Sequence, residues 1–115
     1  MAGIVFLKTQ RIEDLEAFYT EKIGMLMWLR QDDCVIFKHE NLLLGVCARS
    51  EVDRSGTITF FYKTIEDVDA LYDRLKDIAI TAPKMNEKYH IYQFYAHDAE
   101  ARVLESQYFL HSVPL

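Results

Sequence analysis

The chain has 115 residues, half of them hydrophobic and 27% charged, which suffices for one compact core. Its formal charge of -5 argues against a nucleic-acid backbone as partner, and no apolar run approaches the length of a membrane span. No basic flank followed by an apolar stretch opens the chain, so no secretory leader is expected and a cytoplasmic location is.

Ile4 to Thr9 is β-prone, and Ile12 to Ile23 carries apolar residues at helical spacing, with Gly24 placed to end the helix. Met25–Gln31, Cys34–Lys38 and Leu42–Ala48 then read as strands, joined by the short connections Asp32-Asp33 and His39-Glu40-Asn41. Arg49 to Gly56 is polar and reads as a linker. The same order follows again: strand Thr57–Tyr62, then a helix capped by Thr64 with Asp67 at its third position and a stripe of Ile65, Val68, Leu71, Leu75 and Ile78. Strands are predicted near Met85–Tyr89, Ile91–Ala96 and Arg102–Phe109, before a loosely held tail, 110–115.

The repetition is written in the residues. Phe6-Leu7-Lys8-Thr9 returns as Phe61-Tyr62-Lys63-Thr64. Ile12-Glu13-Asp14-Leu15-Glu16-Ala17-Phe18-Tyr19 returns as Ile65-Glu66-Asp67-Val68-Asp69-Ala70-Leu71-Tyr72, identical at five of eight positions. The expected fold is therefore α+β, with two tandem βαβββ modules (3–48 and 57–109) in a single domain. Each sheet has one face under its helix, and the other faces a second module, a partner chain or a ligand. Two curved sheets side by side would make a cup.

The doubled module, Ala17-Phe18-Tyr19 followed by Ile23-Gly24-Met25, and the ending Phe94-Tyr95-Ala96-His97-Asp98-Ala99-Glu100-Ala101-Arg102-Val103-Leu104-Glu105 resemble the vicinal oxygen chelate superfamily. That superfamily includes glyoxalase I, extradiol dioxygenases, fosfomycin-resistance enzymes and bleomycin-resistance proteins. Ala99 and Ala101 stand where the family's turn carries Pro and Gly. Metal-dependent members take ligands from the first and last strands of each module. The resemblance puts Ile4, Thr59, Gly45 and Glu105 at those places, and only Glu105 is a strong ligand. No metal and no cofactor are expected. His39, His90, His97 and His111 show no metal-ligand spacing, and Cys34 and Cys47 are read as reduced, buried small residues.

Strand alternation places Ile4, Phe6 and Lys8 on one face of the first strand, and Thr59, Phe61 and Lys63 on the matching face of its repeat. With Glu105 on that face come Val103 and Gln107; Trp28, Tyr92 and Tyr95 are further candidates. Apolar and aromatic walls with few polar anchors suit a small organic ligand. The leading expectation is a metal-free binding protein for a small aromatic or amphipathic molecule, held by Ile4, Phe6, Lys8, Thr59, Phe61, Lys63 and Gln107. The alternative is a lyase, isomerase or dioxygenase with Glu105 as metal ligand or catalytic base. If Glu105 is neither, it should pair with Arg102, Lys8 or Lys63. No nucleic acid or membrane is expected as partner; a homodimer is.

Overall fold

A computed structural model describes residues 1–114; the last residue of the predicted tail lies outside them. The chain forms two compact units, Met1–Arg54 and Ser55 onward. In the first, β1 (Val5–Thr9), α1 (Ile12–Ala17), β2 (Leu26–Arg30), β3 (Cys34–His39) and β4 (Leu42–Ala48) follow one another. The second has β5 (Thr57–Phe61), α2 (Ile65–Leu75), β6 (Lys84–Asn86), β7 (Ile91–His97) and β8 (Val103–Phe109). The sheets have matching orders, β1-β4-β3-β2 and β5-β8-β7-β6, and in each the first strand pairs in parallel with the last. The two predicted βαβββ modules are thus both present. Among the described residues, no helix is long and apolar enough to cross a membrane.

Each helix covers one sheet face with the residues its periodicity assigns. In α2, Val68, Leu71 and Leu75 are buried, and the Thr64 hydroxyl accepts the Asp67 amide at 3.1 Å, completing the cap. Tyr72 meets the Phe94 ring edge-on at 5.3 Å. In the first unit Leu15 is fully buried and Tyr19 stacks on Phe37 at 5.6 Å.

The long first helix predicted over 12–23 is realised differently. It is α-helical only to Ala17, and Phe18–Ile23 is a π-helix. The Thr20 hydroxyl donates to the Glu16 carbonyl, and Gly24, at φ 90°, ends the segment. Phe18, Tyr19 and Ile23 are all buried along this segment, together with Leu15 before it. The strand predicted at 85–89 shrinks to Lys84–Asn86, because Asn86 turns the chain by accepting the Tyr89 amide.

A second correction concerns the cysteines. Cys34 and Cys47 are register partners across β3 and β4 and form a disulfide, so the reduced pair expected from the sequence is not what the fold holds. They stand 13 positions apart along the chain, and only the hairpin sets them face to face.

The β7–β8 connection is built on a buried charge cluster. Asp98 Oδ1 accepts the amides of Glu100 and Arg102, while Arg102 Nη1 reaches Asp98 Oδ2 at 3.2 Å and Glu100 Oε1 at 2.9 Å. All three side chains are at most 4% exposed. Arg102 is therefore engaged here, not with Glu105. Ala101 has φ 66°, the left-handed conformation for which glycine is the usual choice. Its side chain is exposed, so Ala101→Gly is expected to stabilise by about 1 kcal/mol and raise the melting temperature by about 4 °C. Calorimetry of the two proteins checks this; an unchanged or lower midpoint would show that backbone entropy outweighs the strain.

Candidate functional site in the second unit

The open face of the β5-β8-β7-β6 sheet carries a pocket of about 390 Å³, lined by Asn86, Tyr89, Ile91, Gln93, Tyr95, Glu105, Gln107 and Phe109. Register explains the grouping. Thr59, Glu105 and Tyr95 lie side by side across β5, β8 and β7; Phe61, Gln107 and Gln93 form the next rung. Side chains at rungs two residues apart share a face, so these groups converge.

A directed hydrogen-bond chain runs through the pocket. Asn86 Nδ2 donates to Gln93 Oε1 at 2.7 Å, and Gln93 Nε2 donates to Tyr95 Oη at 3.2 Å and to Glu105 Oε2. Thr59 Oγ1 donates to Glu105 Oε1 at 2.9 Å. Each carboxylate oxygen has thus accepted one bond and keeps a lone pair, and the Tyr95 phenol, having accepted, keeps its own hydrogen to donate. Gln93 is buried, yet both ends of its amide are satisfied, which fixes its orientation. Around this polar floor Tyr89, Phe109 and Ile91 supply apolar and aromatic wall. Phe61 meets Phe109 edge-on at 5.4 Å, and Phe109 meets His111 at 5.7 Å.

The charge of the pocket is simple: one carboxylate and no cation line it. Lys84, across from Gln93 on the edge strand, is exposed and outside the lining, and Lys63 lies exposed beyond the end of β5. Lys63 therefore does not flank this pocket. Lys8 belongs to a separate pocket of the first unit, where its ammonium lies 3.7 Å from Glu51.

The structure brings Thr59, Glu105, Gln107 and Tyr95 together, with Phe61 at the margin through Phe109. Tyr92 is directed away. It donates to Asp69 on α2 at 2.6 Å, and that bond pushes its pKa up to about 12. Trp28 sits at a register shift in β2, 48% exposed. Gln93 and Asn86 were missed by the sequence reading, although Gln93 lies two residues before Tyr95 and alternation alone could have found it. Asn86 required the short edge strand to be placed correctly.

In the first unit the residue opposite Gly45 is Phe6, not Ile4, because the β1–β4 register pairs Phe6 with Gly45; Ile4 precedes the strand. The Phe6 ring lies over Gly45: a Cβ there would be 2.5 Å from Phe6 Cε1 and closer still to Cδ1. The space into which a ligand side chain at 45 would project is therefore filled by a hydrocarbon ring. Among the described residues no group of three or more His, Cys, Asp or Glu comes together to hold a metal ion. The donor set at the four positions that the resemblance marks does not fit such an ion: Ile4 and Gly45 offer none, Thr59 offers a neutral hydroxyl that already serves Glu105, and Glu105 is left as the one strong ligand.

No protein-family model matches the chain, and no curated protein matches it in sequence. Solved structures do. A glyoxalase/bleomycin resistance protein/dioxygenase family enzyme from Burkholderia phytofirmans superposes with a TM-score of 0.81 at 22% identity, over 93% of this chain and 97% of its own. A lactoylglutathione lyase from Agrobacterium tumefaciens gives 0.76 at 18%, over 94% and 92%. A glyoxalase/bleomycin resistance protein/dioxygenase from Alicyclobacillus acidocaldarius gives 0.79 at 16%, over 96% and 92%. The chain has the fold of the glyoxalase/bleomycin-resistance/dioxygenase proteins, the vicinal oxygen chelate fold. At these identities the likeness concerns the fold and leaves the chemistry to the site.

Proposed function

We propose that the protein binds a small amphipathic organic molecule in the pocket of the second unit, without a metal, and that Glu105 anchors a cationic or hydrogen-donating group of that molecule. The observation that carries this reading is the oriented Glu105 carboxylate, held by Thr59 and Gln93 in a pocket whose lining contains no cation. A charge set in a partly desolvated wall favours an opposite charge and rejects a like one. Phe109 and Tyr89, whose ring already carries the Lys88 ammonium at 5.3 Å, supply aromatic wall for an apolar body.

The reading is tested with two probes of similar shape, naphthylmethylamine and naphthaleneacetate, by calorimetric titration. The amine is expected to bind at least about tenfold more tightly, a difference of roughly 1.4 kcal/mol, and Glu105→Gln is expected to erase the preference. Equal binding of the two probes, or a preference that survives Glu105→Gln, would refute the anchor role.

A second reading is an enzyme in which Glu105 acts as base. It is favoured by Tyr95 Oη, a proton donor that shares Gln93 with the carboxylate and so supplies the second polar group general acid–base chemistry needs. Structural neighbours described as enzymes lend it the weight of analogy only. The homodimer expectation has its support in the exposed apolar side chains of β2, where Leu26 is 70% exposed, since a second copy would cover them.

A further inference from the structure

The pocket of the second unit presents its hydrogen-bonding groups in a fixed order. We infer that its ligand carries a planar 2-amino-4-oxo-pyrimidine ring, the group that guanine and pterins share. This rests on Glu105 anchoring the ligand, as proposed, and names the chemistry that would fill the site.

The direction of the hydrogen-bond chain is set by a backbone donor. The Tyr89 amide donates to Asn86 Oδ1 at 3.3 Å, so the other end of that side chain, Nδ2, donates to Gln93 Oε1. Gln93 Nε2 then faces both Tyr95 Oη and Glu105 Oε2, and the phenol keeps its own hydrogen. Strand β8 runs between β5 and β7, so Glu105 is gripped from opposite sides. Thr59 of β5 donates to Oε1, and Gln93 of β7 donates to Oε2. What the carboxylate still offers the pocket is one lone pair on each oxygen. Because a single amide nitrogen bonds Oε2 and Tyr95 Oη, those two atoms are neighbours. The pocket therefore offers acceptor, acceptor, donor: Oε1, Oε2, then the Tyr95 hydrogen.

The complement is donor, donor, acceptor along one rigid edge. A 2-amino-4-oxo-pyrimidine has it: an exocyclic N–H for Oε1, the ring N–H for Oε2 and the carbonyl oxygen for the Tyr95 hydroxyl. A simple amine brings no acceptor, and neither does a guanidinium, so both strand the phenol hydrogen. An adenine edge sets a bare ring nitrogen against the carboxylate, which repels it. Gln107, one rung further along β8, has no partner for its side-chain amide among the described residues and is open to a second polar group of the ligand. Ile91, Phe109 and Tyr89 enclose the rest, and about 390 Å³ is within the usual range for a small-molecule site. No cation of the lining is present to hold a phosphate, which favours a nucleoside or a free pterin over a nucleotide.

The intact protein is titrated calorimetrically with guanosine, inosine, adenosine and 6-hydroxymethylpterin, beside naphthylmethylamine. Guanosine is expected to bind at least about tenfold more tightly than inosine, which lacks only the exocyclic amine, and adenosine is expected to bind more weakly than either. Glu105→Gln should erase the guanosine preference, and Tyr95→Phe should weaken guanosine binding by about tenfold. Tighter binding of guanosine than of the pterin would assign the ring to a nucleoside, and the reverse to a pterin; either supports the shared edge. Equal affinities for guanosine and inosine, or a preference that survives Glu105→Gln, would overturn the paired contact. Binding of naphthylmethylamine with neither guanosine nor the pterin would overturn this inference and leave the Glu105 anchor standing. Binding of none of the probes would remove the anchor as well.

Discussion

Replacing Arg102 by methionine is expected to cost the fold about 3–5 kcal/mol, a large part of a single domain's stability. The guanidinium holds Asp98 and Glu100 at 3.2 and 2.9 Å, in a loop where those carboxylates are 0% and 2% exposed. Removing it leaves two negative charges out of water with their main counter-charge gone, whereas methionine keeps the volume and isolates the electrostatic loss. Asp98 also accepts the two backbone amides that shape the entry to β8, so the strand bearing Glu105 should loosen with the loop. Urea unfolding of the variant reads the loss. A further variant, Asp98→Asn with Glu100→Gln and Arg102→Met, should recover part of it, since the stranded charges are then gone. A stability unchanged within about 0.5 kcal/mol in Arg102→Met would mean that the cluster contributes nothing net.

The second large effect is expected at Gly45. An added Cβ would meet the Phe6 ring at 2.5 Å, well inside any real contact, so Gly45→Ala must displace the ring or the strand. Overpacking of this kind costs typically about 1–3 kcal/mol. Phe6 is 49% exposed and can swing outward, which argues for the lower half of that range. In a Phe6→Ala background the same change should cost almost nothing, and the coupling energy of the cycle measures the clash itself. Equal costs in both backgrounds would show that Gly45 is required for its backbone and not for the ring. The same geometry explains why a carboxylate at 45 would need more than one substitution: the ring occupying its space has to leave as well.

Much of the fold was legible because its signals are local and doubled. The stripe Val68, Leu71, Leu75 and the Thr64 cap report a helix from within a few residues, and the repeat of Ile12–Tyr19 in Ile65–Tyr72 reports that a second module follows. The π-helix escaped because the apolar spacing of Leu15, Phe18, Tyr19 and Ile23 is that of an ordinary helix, and nothing in it announces the wider turn. Ala101 in the left-handed region was visible only as a departure, an alanine where a glycine was expected.

The site divides along the same line. Alternation put Thr59, Glu105 and Gln107 on one face, and the β5–β8–β7 register carried them together with Tyr95. What the residues could not state was inter-strand register, which depends on how strands are paired and not on their own order. Register decided that Phe6 and not Ile4 lies across from Gly45, that Gln93 ties Asn86 to Glu105, and that Cys34 meets Cys47. The sequence by itself determined the two βαβββ modules, the helix faces and the poverty of metal ligands, because these follow from residue type and local period. Tertiary structure alone decided the disulfide, the burial of the Asp98–Glu100–Arg102 cluster and which residues line each pocket. The disulfide and the pockets rest on contacts made only once strands are in register, and the cluster, local to residues 98–102, on the burial that the packed fold gives it.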